Sequence, residues 1–336
     1  MEFFRLTIIH SLRIELNYID YNTPIDQIQQ LLEAKGWLKD EGVLHVEKAG
    51  EGNMNMVMKV ETNRRTVILK QPRPYVFKYP DIEAPVDRIF TEFQFYQAIK
   101  SSSLKGQVPA ILEFDEEDHL MMMEYISEAR DMTYLYRQRK IQSDSFVSLV
   151  DNLNTLHSAS PVSYPANLEL RKLNHQHIFH LPFLEENGFS LDAIQPGLEA
   201  LAVPFKTDQQ IKQVVEQLGR RYLEKGDVLL HGDYYPGSWM QSEEQTYLID
   251  AEFSHIGFRE FDLGVMAAHS VMIIGDTSYL QQLFHTYEHG FAEQTVLQVA
   301  GTEIIRRLIG LAQLPMERTL EEKAQLLELA KGLLIS

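Results

Sequence analysis

Two short apolar runs in the second half of the chain each lead to an aspartate. Val228–Leu230 leads into Asp233, and Tyr247–Ile249 leads into Asp250. Short runs of β-prone residues followed by turn residues are typical of buried strands. We therefore expect two strands that each deliver one carboxylate to a loop.

Phosphoryl transfer from ATP requires two carboxylates in such positions, one at the acceptor hydroxyl and one at the metal ion. We assign Asp233 as the catalytic base, which orients the hydroxyl and takes its proton. We assign Asp250 as a ligand of Mg²⁺, with Ser238 and Glu252 as further ligands, because this hard cation prefers oxygen. A single aspartate at a strand end is often only a turn residue, but the pair favours the catalytic interpretation.

The first part of the chain alternates β-prone runs with turn residues, apart from two segments with helical spacing. Helices are expected after Thr23-Pro24, a typical start signal, and between Asp87 and about Lys100. Strands are expected at residues 43–49, 54–61, 66–71, 110–115 and 119–126. This order predicts a lobe of mainly antiparallel sheet plus helix.

Beyond Tyr125 the apolar spacing is mostly helical. Helices are expected at residues 146–157, 208–224, 278–291 and 301–314, with a pair of strands at 228–233 and 246–250. The predicted fold class is therefore α+β, with a mainly helical second lobe. We expect an N-terminal extension at residues 1–18, a nucleotide-binding N-lobe at 19–125, and a catalytic and acceptor-binding C-lobe at 126–336.

The charge of the chain restricts its partners. Asp and Glu total 48 against 31 Lys and Arg, which gives a formal net charge of −17. Phosphate backbones and anionic membranes require clustered basic residues, so nucleic acid and membrane surfaces are excluded as partners. No apolar run reaches the roughly 18 residues of a membrane helix. The lack of cysteine fits a cytoplasmic location, and a homodimer is compatible with the sequence.

A glycine-containing loop between two expected strands is a candidate phosphate-binding element. Gly50 and Gly52 would let backbone N–H groups line a triphosphate, and Asn53 and Asn55 add polar side chains. A Gly-x-Gly hairpin is by itself more often only a turn. Lys70 interrupts the apolar run of the strand after the loop. This lysine favours the interpretation of the loop as a phosphate-binding element.

The analogy with protein kinases assigns roles to two further parts of the N-lobe. Lys70 should contact the α- and β-phosphates and pair with an acid on the following helix, for which Glu92 is the first candidate and Glu83 the second. The adenine should lie at the junction of the lobes, where the candidate residues are Met123, Glu124 and Tyr125. The alternative is a buried core strand, and the two interpretations can apply to alternate residues.

The motifs resemble those of the aminoglycoside phosphotransferase/choline kinase superfamily, whose catalytic loop has the form HGDxxxxN and whose metal motif has the form (I/L)DxE. Within it the chain is most similar to the 5-methylthioribose kinase family. The segments that carry this likeness are GEGNMNMV (50–57), ILKQPRPYV (68–76), HGDYYPGS (231–238), DAEF (250–253) and IRRLIGLA (305–312). Ser238, in place of the usual Asn, follows the methylthioribose kinase pattern. The resemblance implies a bilobal, protein-kinase-like fold, the use of ATP and Mg²⁺, and a bracing role for Asp262; we interpret His231 as structural.

Arg306 and Arg307 interrupt an apolar helical segment late in the chain. Adjacent helical residues point about 100° apart, so both can reach one pocket only near a helix end or a kink. The resemblance implies that this pair faces the acceptor, where it would steady sugar hydroxyls and the transferring phosphoryl group. The alternative is a role in structural salt bridges.

The leading hypothesis is phosphorylation of a small hydroxylated metabolite, with the 1-hydroxyl of 5-methylthioribose as the first candidate. Two departures bear on the acceptor: residues 158–207 match little of the family, and Tyr234-Tyr235-Pro236 replaces a Leu-His-Thr-like segment. An aminoglycoside, choline or amino-alcohol kinase is the alternative within the enzyme class, and the acidic surface favours such a cationic acceptor. A catalytically weak pseudokinase that binds nucleotide and a non-nucleotide binding module are the alternatives outside it.

Overall fold

The computed structural model describes residues 18–50, 52, 54–243 and 245–335. The expected N-terminal extension, apart from Tyr18, lies outside the described residues, and so does Asn53 of the glycine-containing loop. Across the described ranges, every helix is too short or too polar to cross a lipid bilayer.

The first part of the chain forms an antiparallel sheet flanked by helices. Its elements are α1 (Ile25–Ala34), β1 (Val43–Lys48), β2 (Asn55–Thr62), β3 (Thr66–Pro72), β4 (Tyr75–Val76), β5 (Tyr79–Glu83), α2 (Arg88–Ile99), β6 (Ile111–Asp115) and β7 (Leu120–Glu124). Five strands pair in the order β1-β2-β3-β7-β6, and β4 and β5 form a separate hairpin. The predicted antiparallel sheet with helix is confirmed.

Strand β7 shows how the sheet separates two cores. Successive side chains of a strand point to opposite faces of the sheet. Met122 packs in a core with Ile28 and Leu32 of α1, whereas Met121 and Met123 belong to the larger core that continues into the second half of the chain. One face of the sheet is therefore turned toward the helical part of the protein.

The remainder of the chain is mainly helical, as predicted. Its elements are β8 (Arg130–Asp131), α3 (Tyr134–Gln138), α4 (Ser143–His157), α5 (Leu168–His175), α6 (Leu198–Thr207), α7 (Gln209–Leu223), β9 (Val228–Leu230), β10 (Trp239–Gln241), β11 (Thr246–Leu248), β12 (His255–Gly257), α8 (Glu260–Ile274), α9 (Ser278–Thr286), α10 (Glu293–Ile309) and α11 (Leu320–Ile335). The prediction that the two strands near the aspartates form a pair is wrong. β9 pairs with β12, and β11 pairs with β10, because two further strands of three residues each are too short to show a pattern.

Helix α8 lies at the centre of the C-terminal core, and its sequence pattern does not predict it. Residues 260–273 are all buried, and a helix buried on every side lacks the one-sided apolar spacing that identifies a surface helix. Helix α10 starts at Glu293, earlier than the predicted Gly301, because polar residues in its first turns interrupt the apolar pattern. It ends at Ile309, which places Arg306 and Arg307 in its last turn.

Helices α8 and α10 approach closely because Gly264 has no side chain. A Cβ atom at this position would lie 2.4 Å from Cβ of Val299 and 3.0 Å from the carbonyl oxygen of Val296. Both distances are shorter than normal contacts between these atoms. The close approach fixes α10 against the helix whose first turn supports the loop of Asp233.

Gly264→Ala should lower the free energy of unfolding by about 1–3 kcal/mol, because the added methyl group forces the two helices apart. Urea denaturation followed by circular dichroism measures the change. Gly332→Ala in α11 is the matched control, since a Cβ there meets no atom within 4 Å; helix propensity predicts a gain of up to about 1 kcal/mol. Equal losses in both variants would contradict this packing argument.

Candidate active site

The loop that carries Asp233 is held by the first turn of α8. The carboxylate of Asp262 accepts hydrogen bonds from the backbone N–H groups of His231 (2.7 Å) and Gly232 (3.0 Å). Gly232 has a φ of +84°, and a Cβ there would lie 2.2 Å from the carbonyl oxygen of Phe253. Both constraints require glycine at this position. The backbone therefore dictates the central residue of the His-Gly-Asp sequence.

His231 links the two loops that carry the aspartates. Its buried imidazole places Nε2 3.0 Å from the carbonyl oxygen of Ile249, the residue before Asp250. Burial lowers the pKa of His231, so the neutral ring donates to this carbonyl. Asp250 itself has a φ of +61°, a left-handed conformation that aspartate tolerates better than most residues. The two loops are therefore one connected unit.

A buried Tyr-His pair supports Asp262 from the other side. The hydroxyl of Tyr287 lies 2.6 Å from Nδ1 of His157, and Nε2 of His157 lies 3.3 Å from the Asp262 carboxylate. Burial lowers the pKa of His157, so the tyrosine donates to Nδ1 and the Nε2–H group donates to Asp262. Burial acts against the charge of Asp262, but these donors keep its pKa below the usual range. The loop is thus anchored to an ionised carboxylate.

Lys70 joins the sheet to the loop of Asp250. Its Nζ lies 2.6 Å from Glu92 on α2 and 2.6 Å from Asp250, and its side chain is only 2% exposed. Burial opposes the charge on Lys70, but the Asp250 and Glu92 carboxylates raise its pKa above the ordinary value. Glu83, the second candidate for this pairing, is exposed at the end of β5. The structure therefore brings Lys70, Glu92 and Asp250 together.

A second set of contacts between the sheet and the same loop centres on Arg88, which the sequence analysis missed. Its Nε lies 3.2 Å from Glu252, and Nδ2 of Asn55 donates to the same carboxylate at 2.9 Å. Arg88 also donates to the backbone carbonyl oxygens of Arg73 and Met54. Its signal in the sequence is a lone cation at the start of an apolar helix. These contacts hold the side chains of Glu252 and Asn55 against each other, so neither side chain projects into an open cleft.

Asp233 lies against the end of α10. Its Oδ1 is 3.2 Å from Nη2 of Arg307 and 3.9 Å from Nη2 of Arg306, so both arginines reach one carboxylate from the last turn of their helix. The ring of Tyr235 lies 4.8 Å from the guanidinium of Arg307. Burial raises the pKa of Asp233 to about 6, although both arginines act to lower it. A carboxyl group with this pKa is suited to accept a proton near neutral pH.

The remaining described candidates for nucleotide binding lie in the loop before β2 and around the end of β7. Gly50 and Gly52 are exposed just before β2, in space that is open around both glycines. Met123 is buried, whereas Glu124 is exposed at the end of β7, with its N–H group 2.8 Å from the carbonyl oxygen of Ala110. Tyr125 lies beneath Nζ of Lys59 at 5.1 Å.

The described residues include no group of three or more His, Asp or Glu side chains arranged to hold a metal ion alone. In proteins Mg²⁺ usually takes one or two carboxylates and completes its shell with phosphates and water. The Asp250 side chain is 42% exposed and accessible. Ser238 is buried, and its carbonyl oxygen accepts the N–H group of Ile249 beside Asp250 at 3.0 Å. The backbone of Ser238 therefore lies beside the residue that precedes Asp250, whereas the Glu252 carboxylate is held by Arg88.

The raised pKa of Asp233 predicts a pH dependence of stability. A carboxyl group whose folded-state pKa is about 6 adds stability below the unfolded value near 3.8, and this contribution is lost as the pH rises through 6. Asp233→Asn should therefore remove about 2 kcal/mol of the fall in unfolding free energy between pH 4 and pH 8. Chemical denaturation at a series of pH values measures the effect.

Asp276→Asn is the control for this measurement. Hydrogen bonds from Ser278 lower the pKa of Asp276, so its contribution has the opposite sign and disappears as the pH falls. If Asp233→Asn leaves the slope of stability against pH unchanged, the carboxyl of Asp233 does not have a raised pKa.

Comparison with known proteins finds methylthioribose kinases among the sequence relatives of this chain. The methylthioribose kinase of Exiguobacterium sibiricum is 27% identical over 241 residues, which are 66% of this chain and 60% of that protein. Methylthioribose kinase 1 of Oryza sativa subsp. japonica is 26% identical over 247 residues, 68% of this chain and 56% of that protein. The chain thus spans less than two thirds of the length of these relatives. For the Geobacillus methylthioribose kinase the shares are 85% and 82%, at 25% identity.

Solved structures show the same fold at low sequence identity. A spectinomycin phosphotransferase in complex with ADP and spectinomycin has a TM-score of 0.56 and 17% identity, over 91% of this chain and 98% of that chain. A choline kinase from Streptococcus pneumoniae has a TM-score of 0.53 and 16% identity, over 92% of this chain and 99% of that chain. These likenesses establish a kinase-like α+β fold.

A family model covers both of the loops described above. The model described as "Phosphotransferase enzyme family" (APH) matches residues 45–298, a range that includes Lys70, Asp233 and Asp250 and more than half of the chain. The protein belongs to the phosphotransferase enzyme family.

Proposed function

We propose that the protein is an ATP- and Mg²⁺-dependent phosphotransferase that acts on a hydroxyl group of a small metabolite. The observation that supports this most directly is the arrangement of two linked loops. One presents Asp233 with a raised pKa beside two arginines, and the other presents Asp250 beside Lys70. Asp250 lies close enough to act on the pKa of Asp233, as two carboxylates at one phosphoryl group require.

In the proposed reaction Asp233 orients the acceptor hydroxyl and accepts its proton. The hydroxyl oxygen forms a bond to the γ-phosphorus of ATP, and the bond from that phosphorus to the β–γ bridging oxygen breaks, so that ADP leaves with the electron pair. Lys70 contacts the phosphates of the departing nucleotide, and Arg306 and Arg307 stabilise charge on the transferring group. Mg²⁺ bound at Asp250 and Ser238 would neutralise phosphate charge. The backbone around Gly50 and Gly52, with Asn53, would cover the phosphates, whereas the Asn55 side chain is engaged by Glu252 and Arg88.

The charges around Asp233 bear on the acceptor. Arg306 and Arg307 lie beside it, and the nearby Glu303 is already engaged by both arginines. A pocket for choline or an aminoglycoside needs uncommitted carboxylates or aromatic faces for the cation. We therefore propose a neutral, hydroxylated acceptor, and 5-methylthioribose, phosphorylated at its 1-hydroxyl, is the first candidate, in line with the sequence relatives. Cytoplasmic location and a homodimer remain parts of this proposal.

A coupled ADP-release assay over a panel of acceptors tests the substrate. The panel contains methylthioribose, choline, homoserine, hydroxylysine and several aminoglycosides, and ³¹P NMR identifies the phosphorylated position. We expect transfer to methylthioribose. Transfer to a cationic acceptor instead would overturn the substrate and leave the phosphotransferase, whereas Mg²⁺-dependent ATP binding without any transfer would favour a pseudokinase.

Asp233→Asn should lower kcat by about 10²–10⁴-fold, because the hydroxyl proton loses its acceptor. The affinity for ATP should remain near the parental value, since the residue contacts the acceptor and not the nucleotide. Steady-state kinetics and fluorescence titration with a labelled nucleotide measure the two quantities. Asp276→Asn serves as the matched control with parental activity. A parental kcat in the Asp233 variant would show that this side chain is not the base.

A further inference from the structure

Glu303 explains how two adjacent arginines point to the same carboxylate. It lies one turn before them on α10, where residues three and four positions apart share a helix face. Its Oε1 accepts a hydrogen bond from Nε of Arg307 at 2.8 Å, and its Oε2 accepts one from Nε of Arg306. Glu303 therefore brings together the side chains of Arg306 and Arg307, which would otherwise diverge. Their terminal nitrogens stay free to face Asp233.

Glu303 is in turn held by two neutral side chains from other helices. Nε2 of His269 on α8 lies 3.1 Å from Oε1 of Glu303, and the hydroxyl of Tyr136 on α3 lies 2.5 Å from Nδ1 of His269. Burial lowers the pKa of His269 to about 4, so the ring is neutral. Tyr136 therefore donates to Nδ1, and the Nε2–H group donates to Glu303, which satisfies both nitrogens.

The guanidinium of Arg307 is consequently fixed from three directions. Glu303 holds its Nε, Asp233 faces its Nη2, and the ring of Tyr235 covers its plane at 4.8 Å. The Tyr235 ring also lies 5.2 Å from the ring of His269. Glu303 is only 2% exposed. Burial opposes its charge, but Arg306, Arg307 and the hydrogen bond from His269 keep its pKa well below the usual range.

We propose that Tyr136 and His269 are positioning residues for phosphoryl transfer, which act through Glu303 to hold the guanidinium groups of Arg306 and Arg307 against Asp233. Neither residue touches Asp233, so neither is catalytic in the strict sense. The inference rests on the proposed function and adds residues to the same site. The order Tyr-His-carboxylate repeats that of Tyr287, His157 and Asp262. The set that ends at Asp262 fixes the backbone before Asp233, and the set that ends at Glu303 fixes the charges beside Asp233.

His269→Phe keeps a ring in the core but removes both hydrogen bonds. Because the arginines then lose their orientation, kcat should fall about 10- to 100-fold while KM for ATP stays near the parental value. Tyr136→Phe removes only the distal hydrogen bond and should lower kcat about fivefold. Tyr279→Phe is the matched control: it removes a hydrogen bond of 2.7 Å from a tyrosine hydroxyl to the carbonyl oxygen of Ile141 in the same helical region, away from the site.

A second measurement does not depend on turnover. Carboxyl ¹³C NMR of the free protein follows the titration of Asp233, which faces Arg306, Arg307 and Glu303 of α10, Asp250 after β11, and Tyr235 of its own loop. Phe substitutions at His269 and Tyr136 change no charge near neutral pH. Loosened arginines stabilise the carboxylate less, so Asp233 should titrate at higher pH in both variants, and the acid limb of kcat/KM should move the same way.

The outcomes separate positioning from bulk stability. If both variants lose thermal stability while the Asp233 titration and kcat stay parental, the network is only structural and the proposal is overturned. If the titration shifts but the parental protein transfers phosphate to no acceptor, the proposed function fails while the coupling from His269 to Asp233 stands. A shift in the Tyr279→Phe control equal to that in the network variants would also overturn the proposal.

Discussion

The buried ion pairs of Lys70 are the interaction on which the arrangement of the site depends. An ammonium group with 2% exposure is tolerated only when carboxylates offset the loss of hydration. Its partners come from different parts of the fold: Glu92 from the helix beside the sheet, and Asp250 from the loop after β11. The sheet must therefore dock on the helical part in one orientation, and that orientation places β3 opposite Asp250. The Arg88–Glu252 pair spans the same junction and reinforces it.

The two central aspartates are given different properties by their surroundings. Asp250 is accessible and lies beside a buried cation, which suits a carboxylate that binds a metal ion. Asp233 is more enclosed, and burial raises its pKa to about 6, which suits a group that gains and loses a proton. Two carboxylates in different surroundings can divide chemical roles between them. Here helix α10 packs on the loop of Asp233 and the sheet packs on the loop of Asp250. This difference in packing gives the two aspartates different surroundings.

The sequence predicts the parts of the structure whose signals are local. The strands of the N-terminal sheet are β-prone apolar runs between clear turns, and the motifs around Asp233 and Asp250 are contiguous. The burial of α8 on every side removes the periodicity that would identify it, and β10 and β12 are three residues each. Arg88 and His269 gain their roles from partners far along the chain, which no local pattern contains. Glu303 is different, because its spacing of three and four residues from Arg306 and Arg307 is visible in the sequence, although the sequence analysis missed it.

Isothermal titration of ATP with and without Mg²⁺ tests the central claim, that Asp250 and Lys70 form one metal–nucleotide site. The account predicts that Mg²⁺ strengthens ATP binding to the parental protein, and that Asp250→Asn loses most of this strengthening while metal-free ATP affinity changes less. If ATP binds equally well with and without Mg²⁺, or if the Asp250 variant retains the full effect of the metal, Asp250 does not hold the ion and the account is contradicted.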